Sequence, residues 1–196
     1  MSRKLFKSTA IVSSMTMISR ILGFIRDMLF ARLFGADSGT DAFFVAFKIP
    51  NFLRRLFAEG AFAQAFVPVL SDYKEQGGKA ALSHFIDRTA GTLALILMLT
   101  TIIGMLAAPY LIMVFAPGFS WEGEQYELAV QLLRITFPYL FFISSVAFAG
   151  GILNTYGKFA IPAFTPVFLN ICLISAAIWL APLMPQPVVA LAFGVF

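Results

Sequence analysis

Apolar residues run in long blocks along this chain, separated by short connections rich in Gly, Pro and charge. The blocks cover residues 8–34, 41–70, 84–115, 125–153 and 159–180, and a truncated sixth runs from 188 to 196. A membrane span needs about 20 mainly apolar residues, a length the first five blocks reach. Their polar positions lack the strict alternation, and the segments lack the roughly ten-residue spacing, of a membrane β-barrel. The pattern predicts an all-α, polytopic transmembrane bundle of about six helices. A cleavable leader fits the first block poorly, because Arg20, Arg26 and Asp27 interrupt its apolar run. The last block, "VVALAFGVF", has no polar exit, so a fragment of a longer protein is expected.

The connections set an orientation. The N-terminal "MSRKLFK" carries Arg3, Lys4 and Lys7, whereas the first connection, "GADSGT", has neither Lys nor Arg. The second holds Lys74, Lys79 and Arg88, the third only acids, the fourth Lys158, and the fifth, "APLMPQP", no charge. Basic residues favour cytoplasmic loops, so this alternation predicts a cytoplasmic N-terminus. Outward connections are then expected at 35–40, 117–124 and 181–187.

Composition agrees with a membrane solvent. Hydrophobic residues make up 60% of the 196 and charged ones 12%, with a mean hydropathy of +0.87; soluble domains carry about 25% charge. The net charge of +4 does not call for nucleic acid, since the loop pattern accounts for much of it. Cys172 and His84 are each the only residue of their type, which leaves no internal disulfide, no metal-ligand set and no His-based nucleophile pair. Neither a cofactor nor an enzyme activity is expected.

Charge inside the apolar blocks changes the picture. "FKIPNFLRRLFAEGAF" carries Lys48, Arg54, Arg55 and Glu59 within the second block, and the first contains Arg20, Arg26 and Asp27. With a rise of 1.5 Å per residue, Arg20 lies about 18 Å from Ser8, and Arg54 and Arg55 about 20 Å from Asp41. In a hydrocarbon core of about 30 Å, antiparallel helices bring these cations to one mid-depth level. On the first helix Ser13, Thr16, Ser19, Arg20, Gly23, Arg26 and Asp27 share a side; on the second, Asp41, Lys48, Asn51, Arg55 and Glu59 share an arc. Ion pairs that lock helices together are the plain explanation, with Arg55 and Glu59 at i, i+4. Yet Asp27, Glu59 and Asp41 cannot neutralise five cations. Each central Arg costs at least about 2.5–3.5 kcal/mol, so the surplus is expected to face water and an anionic ligand. Guanidinium forks suit phosphate or carboxylate. A lipid-phosphate enzyme would need a nucleophile or acid–base pair beside them, a cation exporter would need acids, and a structural subunit would turn these groups toward a partner.

The segments "SSMTMISRILGFIRD", "GTDAFFVAFKIPNFLRRLFAEGAFAQAFVPVL" and "ITFPYLFFISSVAFAGGILN" resemble the N-terminal part of the MurJ (MviN) lipid II flippase family. The resemblance covers essentially the whole chain. It implies the multidrug/oligosaccharidyl-lipid/polysaccharide exporter fold, with fourteen helices in two lobes around a cationic cavity, in the bacterial cytoplasmic membrane. The implied substrate is lipid II, an undecaprenyl-pyrophosphate-linked disaccharide-pentapeptide, with another polyprenyl-phosphate-linked glycan or anionic amphiphile as the alternative. Implied partners are membrane lipids and cell-wall synthesis proteins. By matching motif, Arg20, Arg26 and Arg54 correspond to cavity arginines and Asp41 to an acid near the periplasmic side. Asp27, Glu59 and Asn154 resemble gate residues. Arg55 and Lys48 rest on composition and depth alone. The second lobe and a further cavity arginine are missing from this chain.

Overall fold

The computed structural model describes residues 3–196 apart from Ala36, 57–60, Gly77 and Glu122. Among the described residues every regular element is helical: α1 Arg3–Leu33, α2 Ser38–Arg54, α3 Ala61–Gln76, α4 Gly78–Leu106, α5 Ala108–Phe115, α6 Glu124–Thr136, α7 Tyr139–Thr155, α8 Ala160–Ser175 and α9 Val189–Val195. The expected second block thus holds α2 and α3, with 57–60 between them. A π turn, Ala176–Leu180, and a 3₁₀ turn, Ala181–Leu183, carry α8 onward. Four described stretches are long and apolar enough to cross a membrane: Ser8–Leu33, Gly78–Leu106, Glu124–Thr155 and Ala160–Leu183. The all-α, multi-pass membrane reading holds.

Local chemistry explains the breaks. Gly35, at φ 67°, closes α1 with its N–H on Ala31 O, a backbone conformation that costs glycine little. Asp37 then caps α2, its Oδ1 accepting from the Ser38 N–H at 2.8 Å. Pro109, near the start of α5, and Pro138, before α7, stand where the chain leaves one helix for the next, because a proline offers no N–H to the preceding turn. Gly157, at φ 73°, ends α7; the Lys158 N–H reaches back to Leu153 O at 2.9 Å, the 6→1 bond of a Schellman cap.

Between helices in lipid there is little hydrophobic driving force, so close van der Waals packing has to hold the bundle. Accordingly α2 is central, packed on α6 and also touching α5, α7 and α9. Its Ala42 and Ala46, both fully buried, are small enough for α6 to approach closely, and Ala129 and Leu133 of α6 are fully buried in the same core. Gly104 of α4 does the same for Phe137, whose ring occupies the space a Cβ would need. A second layer joins α3 to α4 and α7, where Phe66 stacks on Phe85 and meets Phe148 at 4.8 Å. By contrast α1 lies along α8. It meets α2 through Phe30 edge-on to Phe43, 6.3 Å between centroids.

A candidate cationic site on two diverging helices

The contacts of α1 divide its surface in three. Ile11, Met15, Ser19, Leu22 and Arg26 recur at helical spacing and are half-buried toward α8. About a quarter turn or more away, Ser13, Thr16, Arg20 and Asp27 form an exposed polar stripe. Met17, Ile21 and Met28 make an exposed apolar third side. The side expected to be uniformly polar is therefore split, with Ser19, Gly23 and Arg26 docked and the remainder uncovered.

Arg26 is the best-held cation. Its Nη1 donates to Asn170 Oδ1 at 2.8 Å, and its Nε and Nη2 donate to Asp27 Oδ1 at 3.0 and 2.7 Å. The guanidinium also stands 5.9 Å from the Phe30 ring centroid. Asn170, only 6% exposed, turns its amide back to α1 and donates to Ser19 O at 3.0 Å. All of its polar reach is spent on α1, so one buried amide both docks the helices and aims the arginine. Asp27 pairs within its own helix and locks no helices together. It leaves Arg26 24% exposed, with Asp27 itself 61% exposed.

On α2 the unburied stripe is Asp41, Phe44, Lys48, Phe52 and Arg55, opposite the packed Ala42, Ala46 and Ile49. Half-buried Arg54 is held on its own helix, its Nε donating to Asn51 Oδ1 at 3.0 Å. Among the described residues Arg20, Lys48 and Arg55 have no hydrogen bond or ion pair. No described contact joins the arginines of α1 to those of α2. Asp41 stands in the first turn of α2. Exposed Asn154 is in the last turn of α7, beside α3, whose Lys74 ammonium donates to Thr155 O and lies 4.5 Å over the Tyr156 ring. Glu59 lies outside the described residues.

Asn170 is the residue that the sequence reading passed over. A lone amide in "PVFLNICLIS" is costly in a membrane helix unless it finds a partner, and that cost was the available signal. Gly23 opposes it without strain, since a Cβ there would stand 3.8 Å from Asn170 Nδ2.

Comparison with known proteins converges on one family. The family model described as lipid II flippase MurJ matches residues 30–196. A probable lipid II flippase MurJ of Vibrio cholerae is 50% identical over 202 residues, covering 100% of this chain and 38% of the relative. The lipid II flippase MurJ of Burkholderia cenocepacia is 47% identical, covering 97% of this chain and 37% of the relative. A solved structure, lipid II flippase MurJ in an inward closed conformation, aligns with a TM-score of 0.71 and 33% identity over 95% of this chain and 39% of that one. The chain thus spans well under half the length of the relatives it matches.

Proposed function

Because the chain belongs to the lipid II flippase MurJ family, we propose that it supplies one wall of a cationic cavity. That cavity carries an undecaprenyl-pyrophosphate-linked peptidoglycan precursor across the bacterial inner membrane by alternating access. The observation that carries this reading is the uncovered polar stripe of α1, with Arg20 unpaired among the described residues and Arg26 fixed beside it. A charged face left bare by its own chain at membrane depth needs water, a ligand or the remainder of a longer protein against it. Pyrophosphate suits the guanidinium forks of Arg20, Arg26, Arg54 and Arg55. Lipid II is the substrate; cell-wall synthesis proteins are the expected neighbours.

Gating follows from the depths of the acids. Asp41 would take part in outer closure and Glu59 in inner closure, with substrate competing for the arginines between them, while Asp27 and Asn154 are further gate residues by family resemblance. The N-terminus is cytoplasmic. A cysteine at Ser120 of the full-length protein should therefore react with an impermeant thiol reagent from outside intact cells; reaction only from the cytoplasmic side would refute this orientation.

The function itself is tested with full-length protein in vesicles containing fluorescent lipid II and an impermeant reductant. Movement of lipid II between leaflets should exceed that in protein-free vesicles and that of a polyprenyl-phosphate bearing a different glycan. Equal movement of both lipids would favour the broader exporter, and no movement above background would sink the reading.

A further inference from the structure

A second polar feature lies away from the arginine cluster. Between α3 and the N-terminal half of α4 is a cavity of about 620 Å³ lined by Tyr73, His84, Phe85, Arg88, Thr89 and Thr92. Aromatic rings make up part of its lining: Tyr73 stacks on Phe85 at 4.6 Å with the rings 6° from parallel, and Phe85 stacks in turn on Phe66. His84 and Arg88 are one helical turn apart and so project from the same side of α4. The hydroxyls of Thr89 and Thr92 already donate to Phe85 O and Arg88 O. The donors left for a ligand are the Arg88 guanidinium, the His84 ring and the Tyr73 hydroxyl, none of which has a hydrogen-bond partner among the described residues. The neighbouring acid, Asp87, stands about 100° around the helix from Arg88 and about 60° from His84; it does not line the cavity, and it accepts from Ser83 Oγ at 3.4 Å.

What lies along the same side of α4 decides the ligand class. From Ala90 to Leu106 there is no charged residue, so Arg88 stands where charge gives way to hydrocarbon. On the side that carries His84 and Arg88, Leu95, Leu99, Ile102 and Leu106 follow at helical spacing, between 48% and 73% exposed. The track from Thr92 to Leu106 is about 21 Å long, longer than half of a hydrocarbon core of about 30 Å. A cationic, hydrogen-bonding head above an apolar track matches an amphiphile and gives a free anion no use for its lower part.

We propose that this cavity binds an anionic glycerophospholipid, with His84, Arg88 and Tyr73 on its phosphodiester and an acyl chain along Leu95, Leu99 and Ile102. The headgroup contacts are charge-assisted and sit at the edge of a low-dielectric medium, where such bonds are strongest. On the orientation proposed above the lipid belongs to the cytoplasmic leaflet; the site itself does not depend on that orientation or on the transported substrate.

Native mass spectrometry of the full-length protein in detergent, titrated with phosphatidylglycerol or phosphatidylcholine, tests the assignment. One phosphatidylglycerol should be retained about tenfold more tightly than phosphatidylcholine, whose phosphodiester is the same but whose trimethylammonium brings a like charge beside Arg88. The double variant H84Q/R88Q should lose that preference while eluting and melting like the parent. Equal preference in parent and variant would overturn the proposal. Complete displacement of the lipid by millimolar inorganic phosphate would overturn it too, because the site would then be one for soluble anions.

Discussion

Alanine at Arg20, Arg26 or Arg54 of the full-length protein is expected to abolish lipid II flipping while the protein still inserts and folds. Removing a cation that grips a buried pyrophosphate costs about 2–5 kcal/mol, more than a tenfold loss for each. Lysine should recover only part of the activity, since it keeps the charge and loses the bidentate fork. Arg26 allows a finer check, because its direction depends on another helix. Asn170→Leu removes the 2.8 Å bond to Nη1 and the bond to Ser19 O, leaving the charge in place and its aim lost. Flipping should fall about tenfold, as for a lost hydrogen bond to a charged group. Full activity with alanine at all three arginines, measured in vesicles, would show that these charges serve structure alone.

Gly104→Ala should destabilise the bundle more than any conservative change on its lipid-facing surface. The added methyl would sit 2.0–2.6 Å from three carbons of the Phe137 ring, and that ring is 1% exposed. Overpacking a tight core costs about 1–3 kcal/mol and sometimes more. Here it would part α4 from the α6–α7 junction. Thermal melting of the full-length protein in detergent should show the loss. Phe137→Leu added to Gly104→Ala should restore part of it, since the two changes act on one contact and cannot be additive. A melting temperature equal to that of the parent would mean that α4 and Phe137 do not approach as described.

The elements of this fold are written locally, and its helix contacts are not. Block length and polarity announce the helices, and Gly35 and Gly157 mark stops that glycine's access to positive φ explains. The burial on α2 runs opposite the charged arc read from "FKIPNFLRR", so helical periodicity carried that face correctly. Periodicity did not carry the choice of neighbours. Antiparallel order suggested that α1 would lie along α2, yet α1 lies along α8 through Asn170, 144 residues beyond Arg26. No local pattern encodes a pairing across that separation; only the cost of an amide in an apolar run hinted at it. The resemblance named Arg20, Arg26 and Arg54 together, while the described contacts hold Arg26 and Arg54 on separate helices. Their convergence on a ligand remains the substance of the proposal.

The π turn after α8 has a consequence for how this chain can change length. A π turn accommodates one residue more than the α-helix around it, and here the Ala181 N–H reaches back to Ala176 O. Before the turn, α8 presents Asn170 to α1; within it, Ala176 comes so close to Gly194 of α9 that a Cβ on the glycine would stand 2.6 Å from its own. Losing a single residue between Ser175 and Ala181 would let the helix close into ordinary α geometry without an unmade backbone bond. Everything downstream would then rotate by about 100°, withdrawing Ala176 from Gly194 while Asn170 kept its place. For an evolving lineage this short stretch is a dial: one codon gained or lost resets how the later helices face the earlier ones.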